Sequence, residues 1–166
     1  MTDRIFLVGF MGAGKTTVGR VLAARLDWEF VDLDVEIEDR ERQSIAEIFT
    51  RRGEPWFRLV ERECLKQVAA QRKRVVSLGG GAYVSSENRA VVDSLGVSVF
   101  LDAPLETLLK RIGDDADRPL ARNRAGLERL LDERVGFYRM ARLTIETGDR
   151  SPEEIVEEIL RGIGDL

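Results

Sequence analysis

Near the N-terminus, Gly9-Phe10-Met11-Gly12-Ala13-Gly14-Lys15-Thr16 fits the pattern G-x-x-x-x-G-K-[ST]. Glycines at these places let backbone N–H groups close around phosphate oxygens, and the start of a helix adds a field that favours anions. In this pattern Lys15 reaches the β- and γ-phosphates and the Thr16 hydroxyl is a ligand for Mg²⁺. A strand-to-helix turn that merely needs glycine is the plain alternative, but it does not call for the Lys-Thr pair. The motif points to nucleoside triphosphate binding and is silent on the reaction. Its glycine order also differs from the dinucleotide fingerprint, which disfavours a dehydrogenase.

Further along, carboxylates, guanidinium groups and glycines stand where an acceptor pocket would need them. Val31-Asp32-Leu33-Asp34 follows an apolar run. Residues two apart on an extended segment point the same way, so both carboxylates could face the phosphates. One would hold Mg²⁺ through water while the other takes a proton from an attacking hydroxyl. Asp34 could equally be a helix N-cap. Arg58, in Glu54-Pro55-Trp56-Phe57-Arg58, lies on the first turns of a helix, where the dipole disfavours a cation. It either clamps an anionic substrate or pairs on the surface with Glu54 or Glu61. Three glycines, Gly79, Gly80 and Gly81, directly after a buried strand favour a wall against which a ligand lies. Arg118, in Arg118-Pro119-Leu120, sits in a polar stretch (113–124) with the composition of a lid, able to bring a cation to a transferring phosphate. An ordinary surface loop is the rival. Arg134 lies on an amphipathic helix, where an arginine is usually just solvated.

Absences narrow the chemistry. The chain has no His, which removes Ser-His-Asp and Cys-His catalysis and most transition-metal sites. Its single cysteine, Cys64, allows neither an intramolecular disulfide nor a Cys-rich zinc cluster, and it continues an apolar stripe with Phe57, Val60, Leu65 and Val68. A general base must therefore be a carboxylate, or else Lys or Tyr. A net charge of −4 argues against non-specific nucleic-acid binding, which needs a basic face. No apolar run reaches membrane length and no targeting pattern opens the chain, so cytoplasmic residence is expected. With no sign of a dedicated interface, a monomer is the default.

The elements that position these residues alternate. Strand-like runs occupy Ile5–Val8, Glu29–Val31, Val75–Leu78, Val97–Leu101 and Leu143–Ile145. Helical stripes fill the gaps, as in Val18, Val21, Leu22, Leu26 and again in Ile155, Ile159, Leu160, Ile163. Ser44 with Glu47 forms a capping box, and Pro104 and Pro152 suit first helical turns. The alternation predicts one α/β domain over 166 residues, a parallel sheet covered by helices on both faces, with ligands beyond the carboxyl ends of the strands.

Taken together, GFMGAGKTT, the DLD pair, SIAEIF followed by GEPWFR, LGGGA, RPL and ERVGFY resemble shikimate kinase in order and approximate spacing, from about Ile5 to the last helix. The resemblance implies a three-layer P-loop NTPase fold with a five-stranded parallel sheet, similar to nucleoside monophosphate kinases and closed by a lid. It also implies Mg·ATP-dependent phosphorylation of the 3-hydroxyl of shikimate, on the route to chorismate and the aromatic amino acids. By position, Asp34, Arg58, Arg134 and the Gly79, Gly80, Gly81 turn match the substrate site, with the two arginines on the carboxylate and Asp34 on the hydroxyls as base. Gly12, Ala13, Gly14, Lys15, Thr16 and Thr17 match the ATP loop, Thr16 and Asp32 the magnesium site, and Arg118 the lid arginine. Lys15, Asp34 and Arg118 are thereby the catalytic set. Arg111 and Arg150 match less constant positions flanking the adenine. Two departures, Ala121 in place of a second Leu in the lid and the variable middle residue of the Asp pair, touch no catalytic group.

The rivals are gluconate kinase, a nucleoside monophosphate kinase, or a catalytically silent nucleotide-binding module. A gluconate kinase would explain the phosphate loop but not the triple glycine with Arg58 and Arg134. A silent module should have lost Lys15, Asp34 or Arg118.

Overall fold

The computed structural model describes residues 2–113 and 124–166; Arg118 and nearly all of the proposed lid lie outside them. Five strands, β1 (Arg4–Val8), β2 (Glu29–Asp32), β3 (Arg74–Ser77), β4 (Val97–Asp102) and β5 (Leu143–Glu146), form one sheet in the order β2-β3-β1-β4-β5, every pair parallel. All five expected strands are present. Ile5, Phe6, Leu7 and Val8 of central β1 are at most 1% exposed, while edge strands β2 and β5 keep exposed positions. A parallel strand covered on both faces has no solvent side, so its sequence is continuously apolar rather than alternating.

Among the described residues the helices are α1 (Lys15–Leu26), α2 (Leu33–Glu41), α3 (Ile45–Ala70), α4 (Ser86–Leu95), α5 (Leu105–Gly113), α6 (Arg124–Tyr138) and α7 (Pro152–Gly164), with a single 3₁₀ turn at Ala82–Val84. Helices α1 and α7 pack together over one side of the sheet, and α3 and α4 over the other. Ser44 caps α3 by accepting from Glu47 N, and Pro152 opens α7, as their spacing foretold; Ser151 in addition caps α7 by accepting from Glu154 N. Helix α3 is broken at Gly53, whose φ of 82° and ψ of 168° only glycine adopts readily, with Pro55 just beyond. The break re-aims the chain, so that Glu54–Arg58 starts a fresh helical run. Beyond it Phe57, Val60, Cys64, Leu65 and Val68 are all buried, and burial pushes the Cys64 thiol up to about 11. Cys64 is a core residue.

The order of strands positions the site. The chain leaves β1 for helices on one side and returns to flank it with β3 and β4, so the carboxyl end of β1 lies at a topological switch point. In register, Leu7 sits beside Ser77 and Val99, and Ser77 beside Asp32. The segments that continue from these residues therefore emerge along one edge.

Candidate active site

At that edge Gly9, Gly12 and Gly14 all have positive φ (151°, 80° and 93°), a loop that L side chains would strain. Gly14 is the N-cap of α1 and contributes no side-chain bond, whereas α2, α3, α4 and α7 each carry a side-chain cap. The first turn of α1 also lacks any acidic residue. The positive dipole end of α1 is thus not offset by a capping side chain or an acid, which favours an anion there. Lys15 Nζ curls back across the loop and donates to Gly9 O at 2.5 Å. Helix α5 packs on the same loop: Leu108 O and Ile112 lie within 3.3 Å of where a Gly12 side chain would begin, and Arg111 donates to Gly12 O at 3.0 Å. Arg111 is thereby beside the phosphates' cradle. Arg150, just past β5, donates to Glu146 O and Glu154 O and pairs with Glu158. It stands on the same sheet edge, engaged with α7.

The Asp pair reaches the site by a different geometry from the extended one expected. Asp32 ends β2, and Leu33 already begins α2. The N-cap is Asp32, not Asp34: its Oδ1 accepts from Asp34 N at 3.0 Å and Val35 N at 3.3 Å. A capping turn, not strand alternation, sets the directions of the two carboxylates. Asp32 Oδ2 then faces Thr16 Oγ1 at 3.5 Å. A carboxylate and a hydroxyl oxygen at this spacing, beside a phosphate loop, suit a hard cation that keeps waters and takes substrate phosphates as further ligands, as Mg²⁺ does.

Asp34, released from capping, is half-buried beside the glycine turn. Burial raises its carboxyl above the ordinary aspartate range, with Lys15 and Arg58 opposing the rise and Asp32 and Glu38 adding to it. Each glycine of the turn abuts a different candidate. A methyl on Gly79 would come within 2.7 Å of Asp34 Oδ1, one on Gly80 within 3.0 Å of Arg134 Nη1, and one on Gly81 would overlap the Arg58 guanidinium. Three residues drawn from α2, α3 and α6 thus converge on one short wall. Arg134, an ordinary helical arginine as a sequence feature, is one of them.

Arg58 makes the ion pairs with Glu54 and Glu61 that its spacing allowed. Its Nη1 donates to Glu61 at 2.9 and 3.1 Å and its Nη2 to Glu54 at 3.4 Å, while the same guanidinium faces Gly81. Glu61 is only 1% exposed, and burial raises its carboxyl although Arg58 pulls it down. A buried carboxylate that grips one edge of a guanidinium fixes the direction of the rest. Glu61 was visible in sequence only as a pairing partner at i+3. Tyr138, the last residue of α6, was visible in sequence only as the end of the ERVGFY stretch, with no role assigned; its hydroxyl donates to Gly80 O at 2.5 Å.

Two guanidinium groups and a carboxylate along one glycine turn can bind a small hydroxy acid, and a phosphate loop on the same edge can present a γ-phosphate to it. A family model described as shikimate kinase matches residues 11–163. The shikimate kinase of Persephonella marina is 43% identical over 157 residues, covering 94% of this chain and 96% of that protein. A solved shikimate kinase from Acinetobacter baumannii, in complex with shikimate, superposes with a TM-score of 0.93 at 38% identity, covering 99% of this chain and 94% of that one. A gluconokinase from Sinorhizobium meliloti also superposes, with a TM-score of 0.61 at 19% identity, which speaks for the fold alone. With a family model spanning most of its length and a relative above 40% identity aligned almost end to end, the chain belongs to the shikimate kinase family.

Proposed function

We propose that this protein transfers the γ-phosphoryl group of ATP to the 3-hydroxyl of shikimate, giving shikimate 3-phosphate and ADP. The observation that carries the reading is the convergence of Asp34, Arg58 and Arg134 on Gly79, Gly80 and Gly81, at the edge that also holds Lys15. The arginines bind the acceptor's carboxylate. Asp34 holds its hydroxyls and takes the proton of the attacking one. As that O–H bond breaks, the oxygen bonds to the γ-phosphorus, and the bond from phosphorus to the β,γ-bridging oxygen breaks to release ADP. A carboxyl raised by burial is a stronger base than an ordinary aspartate, which suits it to a proton that hydroxyl groups hold tightly.

Gly12 to Thr17 cradle the phosphates and Lys15 offsets charge on the transferring group. Magnesium, when bound, would be held by Thr16 and Asp32 and would neutralise phosphate charge. Arg118 would come from the lid, and Arg111 and Arg150 would flank the adenine. In this reading residues 1–166 are one kinase domain with a lid at about 113–124, a monomer in the cytoplasm with no nucleic-acid or membrane partner. Among the described residues no helix is long and apolar enough to cross a membrane.

The test is ADP release measured with shikimate, gluconate and nucleoside monophosphates in turn. Shikimate alone should support turnover. Faster turnover with gluconate or a nucleotide would replace this reading, and none with any acceptor would favour a silent nucleotide-binding module.

A further inference from the structure

Two side chains of α6 meet the middle glycine of the turn. Tyr138 is fully buried, its ring centroid 5.4 Å from that of Phe100, and its hydroxyl donates to Gly80 O. One helical turn earlier on the same face, Arg134 brings Nη1 to within 3.0 Å of where a Gly80 side chain would begin, and the Tyr138 hydroxyl oxygen lies 3.5 Å from that same point. The phenol and the guanidinium, both from α6, therefore close on one residue of the turn, with the phenol as donor to its carbonyl. Burial pushes its pKa up to about 12, so it keeps its proton and its donor role across the working pH range.

We propose that Tyr138 is a positioning residue for the acceptor: it hooks the end of α6 onto the glycine turn and aims the Arg134 guanidinium at the substrate carboxylate. The inference rests on the assignment of Arg134 to that carboxylate. Phenylalanine would fill the same slot against Phe100, so packing does not require the hydroxyl. Without it, Gly80 O loses its donor and the end of α6 loses its tie to the turn against which Arg134 lies; a long side chain that must then be ordered on binding weakens the complex. The hydroxyl's hydrogen bond to Gly80 O lies on the acceptor side, so the effect belongs to the acceptor and not to ATP.

The experiment compares Tyr138→Phe, Arg134→Ala and the double variant by steady-state kinetics in both substrates, with thermal denaturation alongside. Tyr138→Phe should raise KM for shikimate by about 3- to 10-fold, the range for one net hydrogen bond, while kcat and KM for ATP stay within about twofold. The double variant should be no worse than Arg134→Ala alone, because the hydroxyl acts through the guanidinium. Equal changes in both KM values, no change in either, or effects that multiply in the double variant would overturn the proposal. If Arg134→Ala itself leaves KM for shikimate unchanged, the reading of Arg134 falls first and this one with it. Loss of thermal stability alone would not separate the two KM values.

Discussion

Gly79 offers a direct measure of how tightly Asp34, the proposed base, is placed. Its φ lies outside the left-handed region, so alanine is acceptable to the backbone and the added methyl is the whole perturbation. That methyl would stand 2.7 Å from Asp34 Oδ1 and 3.2 Å from both Cγ and Oδ2. Ordinary contact begins near 3.4 Å, so the carboxylate must retreat by about 0.7 Å. It has little freedom to do so by moving as a unit, because its own N–H is held by Asp32 Oδ1 in the first turn of α2. A general base displaced by a large fraction of an ångström loses alignment with the hydroxyl, and a misplacement of about 1 Å costs on the order of 10²-fold. Gly79→Ala should therefore lower kcat by roughly 10- to 100-fold with KM for ATP nearly unchanged, read from coupled ADP release. Gly136→Ala is the control: it lies in α6, and among the described residues no neighbouring atom comes within 4 Å of the new methyl. It should leave kinetics alone and raise stability by about 0.5–1 kcal/mol through helix propensity. Gly79→Ala with kcat within about threefold of the parent would refute the argument that Asp34 is held in register by this wall.

Other expectations come from the same geometry. Asp34→Asn should lower kcat by about 10²-fold or more, and near-normal turnover would remove it as base. Because burial raises the Asp34 carboxyl, activity should fall, as pH drops, at a higher pH than for an ordinary aspartate. Stability runs the other way: the folded state binds that proton more tightly than the unfolded chain, so Asp34 favours folding at low pH and loses that contribution as pH rises through its raised pKa. Asp34→Asn should then melt at a higher temperature than the parent at pH 8, with the difference shrinking toward pH 4. Arg58→Lys breaks a two-bond grip on Glu61 and should raise KM for shikimate more than for ATP; equal effects would assign Arg58 a structural role. Arg118→Ala should depress kcat in a protein that melts normally, and unchanged kinetics would dismiss the lid assignment.

What the chain's linear order determined is whatever depends on neighbours within a few residues. The phosphate loop was complete in Gly9–Thr16 because its glycines, its lysine and the helix after it are contiguous. The five strands, the cap at Ser44, the opening of α7 at Pro152 and the buried stripe through Cys64 were readable for the same reason: each is a periodicity or a local preference. The Asp pair marks where this reach ends. Its two residues were visible, but extended spacing suggested parallel carboxylates, and the onset of α2 at Leu33 instead divided their tasks, Asp32 capping and Asp34 turned to the glycine wall.

Convergence was decided only by the tertiary structure. Asp34, Arg58, Gly79–Gly81 and Arg134 are spread over about 100 residues and meet because β2 pairs with β3, setting Asp32 beside Ser77, and because α6 returns against the turn after β3. Such proximity comes from burying apolar strands and helix faces against one another, which no local pattern of charges encodes. The same burial supplied Glu61 and Tyr138, two polar groups in the core whose partners are the guanidinium and the carbonyl that folding brought to them. Local chemistry named the parts, and the packing of the sheet chose which of them face each other.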